Sequence, residues 1–109
     1  MVHQVDSRFL GDLVTANNCS YNGVAQYVEK FRYDGTDGYT IYYSEYDWKY
    51  FLRDGNHKAA AAFFLGLSIN AEKSDWKDMW PEEIIKNHIK NGRTISELVD
   101  DLTSERGNF

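Results

Sequence analysis

Apolar residues are concentrated in one stretch near the middle of the chain, Ala59 to Ile69, in which Ser68 is the most polar residue. Its four consecutive alanines are the best helix formers, and two phenylalanines and two leucines follow them. The pattern predicts a helix that begins at Asn56 or His57 and is apolar around most of its circumference. At about 1.5 Å per residue this helix is roughly half as long as a membrane crossing requires, so we expect it to be the central helix of a folded domain.

Helical spacing of apolar residues also predicts helices on both sides of this stretch. The predicted first residues or caps are Asp6 or Ser7, Asp47, Pro81 and Thr94. The helix after Asp47 is short, from Trp48 to Arg53, and Thr94 to Glu97 has the form of a capping box. The polar passage from Asn70 to Asp78 carries no predicted element, and we expect residues 104–109 to fray.

Tyr39 to Tyr46 is dense in aromatic and β-branched residues and predicts a strand, since a turn-forming segment, residues 34–38, precedes it. Its partner is ambiguous. Residues 20–33 fit a helix that begins near Ser20, and they also fit a strand that pairs with Tyr39 to Tyr46. We favour the helix and leave open the hairpin, or a short helix that runs into a strand at residues 30–33.

Together these elements predict an α+β fold in one globular domain, residues 1–109. We expect about five short helices packed around the Ala/Phe-rich helix, residues 59–69, with a small antiparallel β-hairpin or sheet near residues 30–46. A chain of 109 residues with 42% hydrophobic composition is large enough for one core and too short for two.

The formal net charge of −5 argues against one class of partner. No long segment is basic, and binding to duplex DNA depends on clustered lysine and arginine. An acidic surface would instead suit a basic partner surface, such as the nucleic-acid-binding surface of another protein. The single cysteine, Cys19, excludes an intramolecular disulfide, and the sequence shows neither a leader pattern nor a membrane span. We therefore expect a cytoplasmic protein that does not enter a membrane.

Tyrosine has an unusual distribution, because all eight tyrosines lie between Tyr21 and Tyr50. In the predicted strand, alternate side chains point to opposite faces, and a small domain cannot bury both faces equally. Some tyrosines should therefore be exposed, and exposed aromatic side chains are enriched at protein interfaces. The predicted partner-binding residues are Tyr39, Tyr42, Tyr43, Tyr46 and Trp48 as anchors, with Glu45 and Asp47 steering toward a basic partner. The plain alternative is a strand of half-buried tyrosines.

These features favour binding over catalysis. We expect a small acidic protein-interaction module, of the kind that phages and mobile elements use to block a host nuclease or defence complex sterically. An alternative is a single-stranded nucleic-acid-binding module, in which bases stack on the Tyr/Trp patch and nearby lysines and arginines supply charge. The sequence leaves the oligomeric state open, and a homodimer is possible.

A small Cys/His hydrolase is a third interpretation. Cys19 precedes the possible helix at Ser20, where a helix N-terminus would lower the pKa of the thiol, and His57 lies further along the chain. Cys19 and His57 are the only candidate catalytic residues. The three histidines have no metal-ligand spacing with each other, with Cys19 or with the acids, and no phosphate-binding loop is present, so we predict no metal and no cofactor.

Overall fold

The computed structural model describes residues 1–109 as five helices and one six-stranded sheet. The helices are α1 Ser7–Asp12, α2 Tyr21–Asp34, α3 Asn56–Leu65, α4 Glu82–Asn91 and α5 Ile95–Arg106. The strands are β1 Val2–Val5, β2 Val14–Thr15, β3 Thr40–Tyr46, β4 Lys49–Asp54, β5 Ile69–Ser74 and β6 Arg93–Thr94. A 3-10 turn, Trp76–Asp78, follows β5.

The sheet is mixed, with strand order β1-β5-β3-β4-β2-β6. The central strand β3 pairs antiparallel with β4 on one side and parallel with β5 on the other. The outer pairs are β1 with β5 and β2 with β6, both antiparallel, while β2 runs parallel to β4. The β3–β4 connection is the one two-residue hairpin in this sheet, and the other pairings bring distant parts of the chain together.

Four helices cover one face of the sheet, with α3 at their centre. The four alanines of α3, Ala59–Ala62, are fully buried, and α3 packs against α1, α2 and α5. Because β-strand side chains alternate between faces, Ile41 and Tyr43 of β3 enter this core. The opposite face carries Ser44, which touches Met79, and Phe51 of β4, whose ring lies 6.0 Å from that of His88 on α4. The segment around the 3-10 turn and α4 therefore form a second, thinner layer.

The α+β class agrees with the sequence analysis, but the prediction of a small antiparallel hairpin or sheet near residues 30–46 was wrong. The sheet spans the chain from Val2 to Thr94 and contains parallel pairs. Residues 30–33 are not in a strand, because α2 continues to Asp34 and Gly35 ends it with a positive φ of 72°. Local patterns could not show that β3 obtains one of its partners, β5, from beyond the central helix.

Two further segments differ from expectation. Residues 48–53, predicted as a helix, lie largely in strand β4, because Asp47 and Trp48 form a tight turn rather than a helix start. Residues 70–78, which carried no predicted element, contribute most of β5, whose Ile69 and Ala71 are buried on the helix face. In β4 the buried residues Phe51 and Leu52 are adjacent and face opposite sides, and in β5 only Ile69 and Ala71 are apolar, so neither strand shows a clear alternation in the sequence.

Several helix starts are confirmed. Ser20 caps α2 by accepting a hydrogen bond from the Gly23 N–H at 3.0 Å, which favours the helix among the alternatives for residues 20–33. Thr94 and Glu97 form the capping box of α5. The central helix begins at Asn56 and ends at Leu65, before the predicted Ile69.

At the carboxyl end of the chain, Phe109 packs on Tyr21 with ring centroids 4.6 Å apart. None of the helices is both long and apolar enough to cross a membrane.

Candidate functional site

Two of the predicted anchor tyrosines pack against the helical core, Tyr43 buried and Tyr39 half-buried. Tyr43 is only 4% exposed, and its hydroxyl forms a 2.9 Å hydrogen bond with Nε2 of His3. Burial is the main cause that raises the pKa of Tyr43. Tyr39 packs edge-on against Phe31 of α2, with ring centroids 5.1 Å apart. The structure therefore places Tyr39 and Tyr43 on the helix side of the sheet, away from the remaining anchors.

Tyr42 and Tyr46 point to the opposite face and are half-buried there. Tyr42 lines an open cavity of about 340 Å³ with Arg53, Asp54, Met79 and Trp80. Tyr46 is held at the end of β3 by two contacts, a 2.6 Å hydrogen bond to Glu82 and an edge-on contact with Trp76. The bond to the Glu82 carboxylate, more than burial, raises the pKa of Tyr46 to about 12, because the phenolate would lose this bond and face a negative charge.

Trp48 occupies the hairpin tip, which we define as residues 46–49. It is 91% exposed. Tyr46 pairs directly with Lys49, so Asp47 and Trp48 alone form the turn, and both have positive φ, 51° and 67°. This is the pattern of a type I′ turn, whose twist matches that of the flanking strands and whose usual residues are Asn-Gly. A tryptophan in this backbone conformation is a rare and strained choice.

The two predicted steering acids are separated by the sheet. Glu45 points to the helix face, where it forms a 3.1 Å ion pair with Lys73. The hydrogen bond to Glu45 is the largest cause that raises the pKa of Lys73, which also lies over the ring of Tyr50. Asp47 remains at the hairpin tip with no cation within ion-pair distance. Of the seven predicted binding residues, the structure thus brings Tyr46, Asp47 and Trp48 together at one exposed point.

A groove of about 310 Å³ separates the hairpin tip from α4. We call it the lysine groove, and its lining residues are Tyr46, Asp47, Lys49, Lys86, Ile89 and Lys90. Lys49 and Lys90 have no carboxylate within 4.0 Å, and Lys86 makes only a long, exposed contact of 3.9 Å with Glu83. Sequence reasoning missed the α4 residues, because only the tertiary fold brings them beside β3 and nothing local distinguishes them from ordinary surface lysines.

Cys19 and His57 are not arranged as a catalytic nucleophile and its general base. Cys19 is only 7% exposed, and burial raises the pKa of its thiol to about 11, so the thiol is protonated at neutral pH. Nε2 of His57 accepts a hydrogen bond from the Ser20 N–H at 3.3 Å, and no hydrogen bond joins it to Cys19. The imidazole of His57 thus stabilises the backbone at the start of α2 through this hydrogen bond.

Comparisons with protein-family models, with curated proteins and with solved structures find no significant match to this chain. Nowhere does the structure bring together three or more histidine, cysteine, aspartate or glutamate side chains in a group that could hold a metal ion. The features that distinguish the surface are the exposed Trp48 and the adjoining lysine groove.

Proposed function

We propose that this chain is a protein-interaction module that docks on its partner through the hairpin tip. The observation that carries the proposal is Trp48, a large apolar side chain that is 91% exposed and stands on a left-handed backbone. Tryptophan is among the residue types most enriched at the energetic centres of interfaces. Burying one such side chain in a partner's pocket supplies a large apolar contribution from a small contact area.

Folding gives no reason for tryptophan at this position. A left-handed conformation costs an L-residue roughly 1–2 kcal/mol, whereas glycine adopts it freely. Trp48 makes none of the ring contacts that hold Tyr43 and Tyr46 in place. A residue that is strained, apolar and exposed is unfavourable for the isolated domain, and it becomes favourable when a partner covers it.

The hairpin tip is also held rigid. The Tyr46 hydroxyl donates to Glu82, and its ring leans on Trp76, so the turn is tied to the second layer of the fold. A preorganised anchor loses less conformational entropy on binding than a flexible one. Rigidity at the base of the turn and exposure at its end together favour docking by insertion.

The sequence hypothesis of a phage-type inhibitor that blocks a host nuclease or defence complex is a finer version of the same proposal. It adds that the docked module covers a functional surface of its partner. The proposed set of anchors is narrower than the one predicted from the sequence, because only Trp48 and Tyr46 are retained from the five aromatic residues.

The test is affinity capture from a lysate of the source cell or its host with quantitative mass spectrometry. Trp48→Gly removes the anchor and suits the turn, and Tyr33→Ala is the matched control, because Tyr33 is 83% exposed on α2 far from the turn. We expect a stoichiometric partner to be captured by the wild type and the control and lost with Trp48→Gly. Equal capture by all three proteins, with each folded by circular dichroism, would refute docking through the hairpin tip.

A further inference from the structure

We infer that the lysine groove receives an acidic segment of the partner protein that carries an apolar side chain. The inference rests on the proposed docking through the hairpin tip and adds the chemistry of what is bound. It reverses the charge expected from the sequence, which favoured a basic partner. The reasons are the shape of the groove, its charges and the position of Glu45.

The floor of the lysine groove is apolar and its rim is cationic. The ring of Tyr46 and the side chain of Ile89 provide apolar surface between the turn and α4, and both are half-buried. A volume of about 310 Å³ is at the lower end of the range for binding pockets, which suits one or two side chains of a peptide. Trp48 does not line the groove itself, but it lies between two lining residues, Asp47 and Lys49, in the chain.

Three ammonium groups surround that floor, those of Lys49, Lys86 and Lys90, and the groove contains one acid, Asp47. Neither Lys49 nor Lys90 has a carboxylate within 4.0 Å of its ammonium group. Three further acids near the hairpin tip each have a partner within the chain. Glu45 pairs with Lys73 on the far face of the sheet, Glu82 accepts the hydrogen bond from Tyr46, and Glu83 makes a 3.9 Å contact with Lys86. Local charge therefore complements carboxylates on the partner, although the chain as a whole is negative.

An acidic peptide fits better than a single-stranded nucleic acid. A nucleic-acid strand needs a positive track over several phosphates, and here the first turn of α4 beside the groove presents Glu82 and Glu83. A net charge of −5 also repels a long polyanion, whereas a peptide with two or three carboxylates meets mainly the local lysines.

The experiment selects peptides from a random phage-displayed library on the immobilised wild-type protein and measures the selected consensus peptide by fluorescence anisotropy. Lys49→Glu/Lys90→Glu reverses two charges of the groove. Lys30→Glu/Lys58→Glu changes the net charge equally, at α2 and at the first turn of α3. We expect an acidic consensus with leucine or phenylalanine, binding weakened at least about tenfold by the groove pair and within about twofold of wild type for the control pair.

The other outcomes overturn the inference in distinguishable ways. A basic or uncharged consensus, or equal weakening by both charge-reversal pairs, would refute acidic recognition. If Trp48→Gly nevertheless abolished binding of such a basic or uncharged peptide, the proposed docking through the hairpin tip would be retained and only the acidic recognition would be refuted. If Lys49→Glu/Lys90→Glu weakened binding of an acidic peptide but Trp48→Gly did not, the lysine groove would be supported as the binding site and Trp48 would be refuted as the anchor. Salt-sensitive binding of a labelled oligothymidylate at the groove, with no peptide selected, would show a nucleic-acid strand to be the occupant.

Discussion

The hydroxyl of Tyr46 donates a 2.6 Å hydrogen bond to Oε2 of Glu82, which joins the end of strand β3 to the first turn of α4. Thirty-five residues separate the two in the chain, and this bond fixes one wall of the lysine groove relative to the other. The Glu82 carboxylate also lies at a helix N-terminus, where a negative charge is favourable.

The first prediction concerns the acidity of Tyr46. Glu82→Gln should lower the pKa of Tyr46 from about 12 toward its ordinary value of 10.0, because the neutral phenol would lose its hydrogen bond to a carboxylate and the phenolate would no longer face a negative charge. Alkaline difference absorbance, taken against the same protein with Tyr46→Phe, isolates this one tyrosine. Glu83→Gln is the control and should change the pKa much less, since Glu83 acts only at a distance. An unchanged pKa in Glu82→Gln would contradict the bond.

The second prediction concerns the stability of the turn. Trp48→Gly should leave the free energy of unfolding unchanged or raise it by up to about 1 kcal/mol, because relief of left-handed strain offsets the greater entropy of glycine in the unfolded chain. Urea unfolding followed by circular dichroism measures the change. Trp48→Ala keeps the Cβ atom and should be less stable than Trp48→Gly. A loss of more than about 1 kcal/mol with Trp48→Gly would mean that the tryptophan is needed for folding.

The third prediction separates binding from thiol chemistry. Cys19 should react slowly with iodoacetamide at neutral pH, because raising the pKa from 9.0 to about 11 leaves roughly a hundredfold less thiolate. Mass spectrometry measures the modified fraction over time, and the protein in denaturant provides the reference rate. Labelling of the folded protein as fast as that of the unfolded protein would contradict the buried position and reopen the hydrolase interpretation.

The fourth prediction concerns His88, whose Nε2 accepts the Ala16 N–H at 3.2 Å. Burial lowers the pKa of His88 below its ordinary 6.5, so the unfolded chain takes up a proton where the folded chain does not. The contribution of His88 to the free energy of unfolding is therefore constant above about pH 6.5. Below that pH the free energy of unfolding decreases, because protons bind the unfolded chain more tightly. Urea unfolding at about pH 7.5 and about pH 5.5 should show a smaller loss in His88→Gln than in wild type. Equal losses would rule out His88 as a source of the pH dependence.

The fifth prediction decides the role of Gly11 in α1. In an exposed helix, Gly→Ala stabilises by about 1 kcal/mol, but a Cβ atom here would lie 2.6 Å from the ring of Phe63 on α3. Gly11→Ala should therefore destabilise the protein by about 1–3 kcal/mol, as overpacking does. The double variant Gly11→Ala/Phe63→Leu makes room for the methyl group, and the Gly11→Ala substitution should cost less in that background. Stabilisation by Gly11→Ala alone would refute the close contact.

Local chemistry made much of the helical part predictable. The alanines of the central helix, the cap at Ser20 and the capping box at Thr94 act through residues within one or two turns, so their signals are complete in the sequence. The alternation in residues 39–46 likewise predicted which side chains of β3 share a face. For the candidate site, the aromatic content indicated five anchors, and the structure places two of these, Tyr46 and Trp48, at the hairpin tip.

Only the tertiary structure decided the sheet and the site. Strand β5 is recognisable once it lies beside β3, because its pairing comes from backbone groups that every residue carries. The lysine groove also depends on the tertiary structure. Lys49 of β4 and Lys90 of α4 look like ordinary surface residues in the sequence, and they line one groove only because α4 packs beside the hairpin tip. Sequence determined the elements whose interactions are near in the chain, and long-range packing determined which faces are buried, which acids are engaged and where Trp48 stands exposed.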